Sequence, residues 1–408
     1  MLVPMKSLKT LLILGPGPSS SHTIGPYRIA FSFLDGLSHK ENIDHLEVTL
    51  FGSLALTGKG HATDGIIKKA LDGFKTVVFF DPSFEGLSHP NTMECRAFYK
   101  DGSLYKKRYQ SIGGGSFLVE GAKRGDEDVY PFKTFNELKE YVQKENIKDL
   151  YEVIERNDDK DIYQYGMKML RCSFRTIERS LKEKGTLPGS LKLSRAAGKI
   201  YDKAVALKDA AERRTMLLSS YAYATSEANA NNELIVTSPT CGAAGVVPAC
   251  LYYEWKNHHK NLKNLAKAYL VGALTCSFIK ENAGVAGALF GCQSEIGSAA
   301  SFAAASLSYL YGLSLYQIEY AAEVAMEHFL GLTCDPVDGY VQIPCIERNA
   351  IAAIHAYASF LYAKNIAPTR KNRVSFDNVI EAMKETGTEL PYEFKETSLG
   401  GLAKVICS

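Results

Sequence analysis

Several features are scarce in this chain of 408 residues, and each scarcity removes a class of function. Charge of one sign is missing. With 47 lysines and arginines against 45 aspartates and glutamates, the net +2 gives no pull toward nucleic acid or an anionic membrane. A disulfide framework is missing too. The nine cysteines are odd in number and scattered, and no secretory leader is evident, so the expected compartment is a reducing cytoplasm. The apolar run Leu11–Leu14 is too short for a leader, is stopped by Gly15-Pro16, and reads as a first strand. A membrane anchor is not expected. The charge-free stretch from Ile296 to Ile318 is diluted by serine, alanine, Gly297 and Gly312, and reads as a helix buried inside a helical domain. Long repeats and low-complexity tracts are absent. The Gly58–His61 segment, GKGH, lacks the leading glycine and spacing of a nucleotide-binding P-loop.

What is present divides the chain. Residues 1–130 read as an α+β domain: Leu46–Phe51 and Thr76–Phe80 are rich in β-branched and aromatic residues, as strands are. Helices are expected after Gly25-Pro26 and from Asp64 to Phe74, and Asp101-Gly102 marks a hairpin turn. Gly113–Gly115 then breaks the strand pattern. Residues 131–160 turn polar and charged, ending in ERNDDKD, and read as a connection. From there to 408 the periodicity is helical, giving a larger all-α domain. Glu319, Glu323 and Glu327 recur at helical spacing and are expected on a solvated face, since three adjacent carboxylates repel when buried. The final ETSLGGLAKVICS is small and apolar enough to require packing.

Four stretches carry side chains suited to chemistry. GPGPSSSHTIGPYR places Ser19, Ser20, Ser21, His22 and Thr23 before a helix, where backbone amides and hydroxyls make an anion site. Simple capping would need fewer hydroxyls. In FGSLALTGKGHATD, Lys59 can pair with a carboxylate and His61 can move a proton, although glycine turns of this kind also serve structure alone. In VTSPTCGAAGVVPAC, Ser238, Thr240 and Cys241 sit where a loop feeds a helix. The alternatives there are an activated thiol and a buried turn, and the residues leave both open. Lastly, Cys292, Cys334 and Cys345 lie in GCQSEIGSAAS and CDPVDGYVQIPC. Their spacing matches no short zinc or ferredoxin signature, and buried cysteine is often inert. Cys345 opens an apolar helical run and is expected at a helix N-terminus, where a thiolate is favoured.

Taken together and in order, these segments resemble the iron–sulfur-dependent L-serine dehydratases, also called L-serine ammonia-lyases. GPSSSHTIGP, GSLALTGKGHATD and IGGG are similar to the family's β domain. LPGSLK, SPTCGAAGVVPA, GCQSEIGSA, MEHFLGLTCDPVDGYVQIPCIERNA and KETSLGGLA are similar to its α domain. The resemblance implies a [4Fe–4S] cluster on Cys292, Cys334 and Cys345 with one iron open, and a C-terminal cysteine, here Cys407, that occupies that iron until substrate arrives. It implies conversion of L-serine to pyruvate and ammonia with iron as Lewis acid; for the base, the residues themselves suggest His61, with His22 as the next choice. Ser19–Thr23, Lys59, Ser238 and Thr240 would bind substrate, and a cytoplasmic homodimer is expected. The chain departs from many relatives at Cys241 (asparagine), at Asp338 (glycine) and in having Ser408 after Cys407. Three other readings remain. They are a dehydratase for another β-substituted amino acid, a non-catalytic iron–sulfur redox or oxygen sensor, and a pyridoxal phosphate enzyme needing a Schiff-base lysine.

Overall fold

The computed structural model describes residues 5–83, 85–121 and 128–407. Its strands are β1 (Met5–Lys6), β2 (Leu14–Pro16), β3 (Ile43–Phe51), β4 (Thr76–Asp81), β5 (Thr92–Tyr99), β6 (Leu104–Gly113), β7 (Ser116–Val119), β8 (Asp128–Tyr130) and β9 (Leu234–Val236). Five of them form one sheet in the order β4-β3-β5-β6-β7, antiparallel except for the parallel β3–β4 pair. Alternation along β3 sends Leu46, Val48 and Leu50 to one face. There they pack with Ile29, Phe33 and Ile67 of the helices Gly25–Asp35 and Thr63–Ala70. Burying each such side chain is worth about 1.5–3 kcal/mol. The expected hairpin at Asp101-Gly102 joins β5 to β6, and Gly113–Gly115 all take positive φ where β6 turns into β7.

The rest is helical, around a second and larger core. Its centre is the helix Ser298–Leu310, buried along nearly its whole length among neighbouring helices. This is the charge-free stretch, and its alanines and serines let neighbouring backbones approach. Among the described residues, no helix is long and apolar enough to cross a membrane.

Three expectations are corrected. Residues 131–160 carry two helices, Phe135–Lys144 and Leu150–Asn157, whose Phe135, Leu138, Tyr151 and Ile154 join the helical core. Their polar composition reflects an exposed face, and both are amphipathic. The first strand is not Leu11–Leu14: Leu11 and Leu12 plug the helical core and pairing begins only at Leu14. The glutamate stripe is not wholly solvated. Glu319 and Glu323 are buried, Glu319 with Lys139 Nζ at 3.0 Å and Glu323 with Asn372 Nδ2 at 2.9 Å. Burial pushes the Glu323 carboxyl up to about 8, so it need not carry the charge that would repel its neighbours.

The two parts are stitched by strands. β2 pairs antiparallel with β9 from the helical part, and β1 with β8. These ties hold the serine-rich loop after β2 against the helical part, and this is where the site forms.

Candidate active site

His22 sits in a π-helical turn, Ser20–Ile24, that runs directly into the helix from Gly25. The Ser19 side chain caps this turn by accepting from the His22 amide at 3.1 Å. Both ring nitrogens of His22 have partners: Ser21 Oγ at 2.9 Å from Nδ1 and Ser53 Oγ at 3.1 Å from Nε2. Ser53 spends its own proton on the Glu396 carbonyl at 2.7 Å. His22 Nε2 must therefore donate, leaving Nδ1 to accept from Ser21.

His61 comes from the glycine turn before the helix Thr63–Ala70 and stacks on His22, with ring centroids 4.5 Å apart. Its Nδ1 lies 2.7 Å from the Thr57 carbonyl, which can only accept. The proton is thus on Nδ1. Nε2 keeps its lone pair and has no hydrogen-bond partner among the described residues, although it is buried. Burial lowers both rings to about 4, each also feeling charge from a neighbouring imidazole. Both are neutral at physiological pH.

The thiols arrive from the other side. Cys292 precedes a second π-helical turn, Gln293–Gly297, that feeds the helix Ser298–Leu310. Cys345 is the first residue of the helix Cys345–Ile366, as expected from sequence. The Sγ atoms of Cys292 and Cys334 and a Glu295 carboxylate oxygen all lie within 4.8 Å of one another. A hydrogen bond from Cys334, aided by Arg348, lowers the Cys292 thiol to about 7, while Cys334 is pushed up by the same bond and by burial. Burial also raises Cys345. Arg348 is anchored on the Thr333 carbonyl at 2.7 Å and Asp335 at 3.3 Å.

One small cavity of about 20 Å³ joins the two sides. Its lining includes Ser19, His61, Cys292, Glu295, Cys334, Cys345 and Glu396. The cysteine loop reaches the histidines by close packing: a Cβ on Gly60 would stand 2.5 Å from the Gly339 carbonyl carbon, so only glycine permits the approach. Three thiols facing one cavity, those of Cys292 and Cys334 buried and that of Cys345 half-buried, with a neighbouring arginine, fit a group that needs three thiolate ligands.

Other sequence candidates stand elsewhere. Ser20 is buried behind the turn, and the Thr23 hydroxyl ties the two histidine loops through the His61 carbonyl at 3.0 Å. Lys59 is not part of the cavity: it points to solvent, paired with Asp64 at 2.6 Å and lying over Phe80. Ser238 and Thr240 are fully buried outside the lining, with the Ser238 hydroxyl beside Tyr269 and the Thr240 hydroxyl beside Glu295. Cys241 is the bland alternative, a buried thiol whose pKa burial drives up. Cys407 ends the last helix, Gly401–Cys407, and its side chain lies outside the described ones. Sequence reasoning missed Glu396, Glu295, Arg348 and Ser53. Glu396 and Glu295 lay inside KETSLGGLA and GCQSEIGSA, and a carboxylate three residues after a candidate thiol ligand was the available signal.

An α+β part and a helical part thus close on one cavity, with histidines on one side and thiols on the other. Residues 127–403, more than half the chain, match the serine dehydratase alpha chain family, and residues 7–83 the serine dehydratase beta chain family. The chain is 36% identical to L-serine dehydratase 2 of Escherichia coli, over 98% of this chain and 99% of that one. It is 35% identical to an L-serine dehydratase of Streptomyces coelicolor (97% and 98%) and 36% identical to one of Helicobacter pylori (98% and 99%). The protein belongs to the serine dehydratase family, with beta and alpha parts in a single chain.

Proposed function

We propose that this protein is an L-serine ammonia-lyase, converting L-serine to pyruvate and ammonia, and that Cys292, Cys334 and Cys345 hold a [4Fe–4S] cluster. The observation that carries the reading is one buried cavity shared by three thiols and an unpaired imidazole nitrogen, in a chain of this family. When bound, the cluster supplies a Lewis-acidic iron without a protein thiolate, and so assists departure of a hydroxyl that is otherwise a poor leaving group.

The chain's own residues do the rest. His61 Nε2, with its lone pair set by the Thr57 carbonyl, takes the α-proton. His22 holds the wrong tautomer for that task at Nε2 and has a donor already on Nδ1, so it supports the stack and the serine turn. The Ser19 hydroxyl on the cavity wall receives the substrate carboxylate. Closure of the site by the cysteine loop excludes water while the carbon–oxygen bond breaks. Loss of the α-proton and the hydroxyl leaves aminoacrylate, which tautomerises and hydrolyses to the two products.

The test is anaerobic reconstitution with iron and sulfide, then assay with serine, threonine and cysteine. We expect a broad brown absorbance and pyruvate from serine. A colourless, metal-free preparation with full turnover overturns the cluster, and a loaded protein releasing no ammonia supports the sensor reading instead.

A further inference from the structure

Glu396 belongs to neither set of residues assigned above, yet it lies between them. It is 4% exposed and its Oε2 has no hydrogen-bond partner among the described residues. Oε1 lies 3.4 Å from His22 Nδ1 and 3.8 Å from His61 Nε2, too far to hydrogen-bond. Moreover, neither nitrogen carries a proton to give in the tautomers deduced above. Ser21 and the Ala288 amide lie close enough to the carboxyl group to stabilise its charge, but no lysine or arginine is paired with it and Oε2 is left over.

The backbone takes trouble to put it there. Glu396 has φ +58°, a left-handed conformation that costs a non-glycine residue about 1–2 kcal/mol. Four bonds hold the segment in place. The Cys334 amide donates to the Phe394 carbonyl at 2.8 Å, and the Glu396 amide to the Cys334 carbonyl at 2.7 Å. Ser53 Oγ donates to the Glu396 carbonyl at 2.7 Å and Ser398 Oγ to the Pro336 carbonyl at 2.6 Å. A strained residue tethered this firmly is a mark of function.

We propose that the Glu396 carboxylate receives the α-ammonium of the substrate and so selects α-amino acids over hydroxy acids that lack the amino group. This rests on the reading of the cavity as an amino-acid site. An amino acid enters as a zwitterion, and its ammonium brings a full positive charge and a donor for the unpartnered Oε2. Attraction between such charges is much stronger inside the protein than in water. The geometry agrees with the chemistry: the ammonium and the α-proton are on one carbon, and their two acceptors, Glu396 Oε1 and His61 Nε2, are neighbours. Glu295, the other carboxyl of the cavity, stands on the thiol side, 3.9 Å from Cys334 Sγ.

The experiment compares L-serine with 3-hydroxypropionate, which is serine without its amino group. Wild type, Glu396→Gln and Glu396→Asp are prepared cluster-loaded, with iron content and absorbance matched. We expect Glu396→Gln to raise the KM for serine on the order of thirtyfold, and to leave the inhibition constant of 3-hydroxypropionate within about twofold, the range of a rim effect. Glu396→Asp, which keeps the charge, recovers part of the loss. The proposal is overturned if both constants rise together, if kcat falls with KM unchanged, or if neither moves. Should Glu396→Gln not fold, the same comparison on Glu396→Asp decides by the same rule with a smaller ratio. Wild type that neither turns over nor binds serine is a failure of the functional reading, seen before any variant is compared.

Discussion

The histidine wall and the thiol wall of the cavity are both built on a π-helical turn running into a helix, yet they are held in different ways. On the histidine side Ser19, Ser21, Ser53 and the Thr57 carbonyl fix the tautomer and tilt of two rings before any ligand arrives. On the thiol side Cys292 and Cys334 interact with each other, Arg348 stands beside them, and Cys334 Sγ lies 3.9 Å from Glu295. One wall has its ring orientations and tautomers set by the chain alone, with the His61 Nε2 lone pair left free for a ligand. The other has its thiols facing one cavity without such a framework. The contrast teaches that acid–base geometry is a property of the folded chain, whereas on the proposed reading the thiol geometry is completed by the cluster.

Removing a thiol strikes the incomplete wall and has the largest effect. Cys345→Ser is expected to abolish both the brown absorbance and pyruvate formation, while far-ultraviolet circular dichroism stays unchanged. A variant that keeps its colour contradicts the ligand set. Next in size, His61→Ala lowers kcat by about 10²–10⁴ with the absorbance intact, in line with the loss of a general base. His22→Ala is expected to cost less, because its ring supports the stack and takes no proton from substrate; equal losses would break the distinction. Arg348→Ala acts beside the sulfurs and should weaken cluster retention by about 10–100-fold, read as the rate of bleaching with a chelator.

A smaller effect separates the walls by pH. His89 is buried near the histidine wall, and desolvation lowers its pKa to about 4. The unfolded chain, with an ordinary histidine near 6.5, binds more protons between those values. Stability is therefore complete above about 6.5 and is lost as pH falls toward 4, by about 1.4 kcal/mol per unit for each such group at most. Thermal melts of wild type and His89→Gln across pH 4–7 should diverge, with the variant less sensitive to acid. Parallel curves would show that His89 does not contribute. Least of all, Lys59→Ala should leave kcat/KM within about twofold, since an exposed ion pair of this kind is worth little. A large loss would return Lys59 to the site.

Much of this was legible along the chain, and the exceptions have physical causes. Strands β3 and β4, the hairpin at Asp101-Gly102 and the buried helix at Ser298–Leu310 follow local periodicity, which sequence displays directly. The helices at Phe135–Lys144 and Leu150–Asn157 escaped because short amphipathic segments with many charges look like connections until their apolar faces find a core. Glu319 and Glu323 were expected in water because repulsion argues that way, but Lys139 and Asn372 reach them from distant parts of the chain. Lys59 looked like a site residue by its neighbours in sequence, and the turn sends its side chain outward.

By itself the sequence determined the division into an α+β and a helical part, the three candidate thiols and the two histidines. Residue type and local spacing carry that information. Only the tertiary structure decided which histidine keeps a lone pair, because that depends on a carbonyl at Thr57 and a serine at position 53 whose proton goes to position 396. The same holds for Glu396. Its place between the two walls comes from a segment near the end of the chain bonding to Cys334 and Ser53, and contacts so far apart in sequence leave no periodic trace.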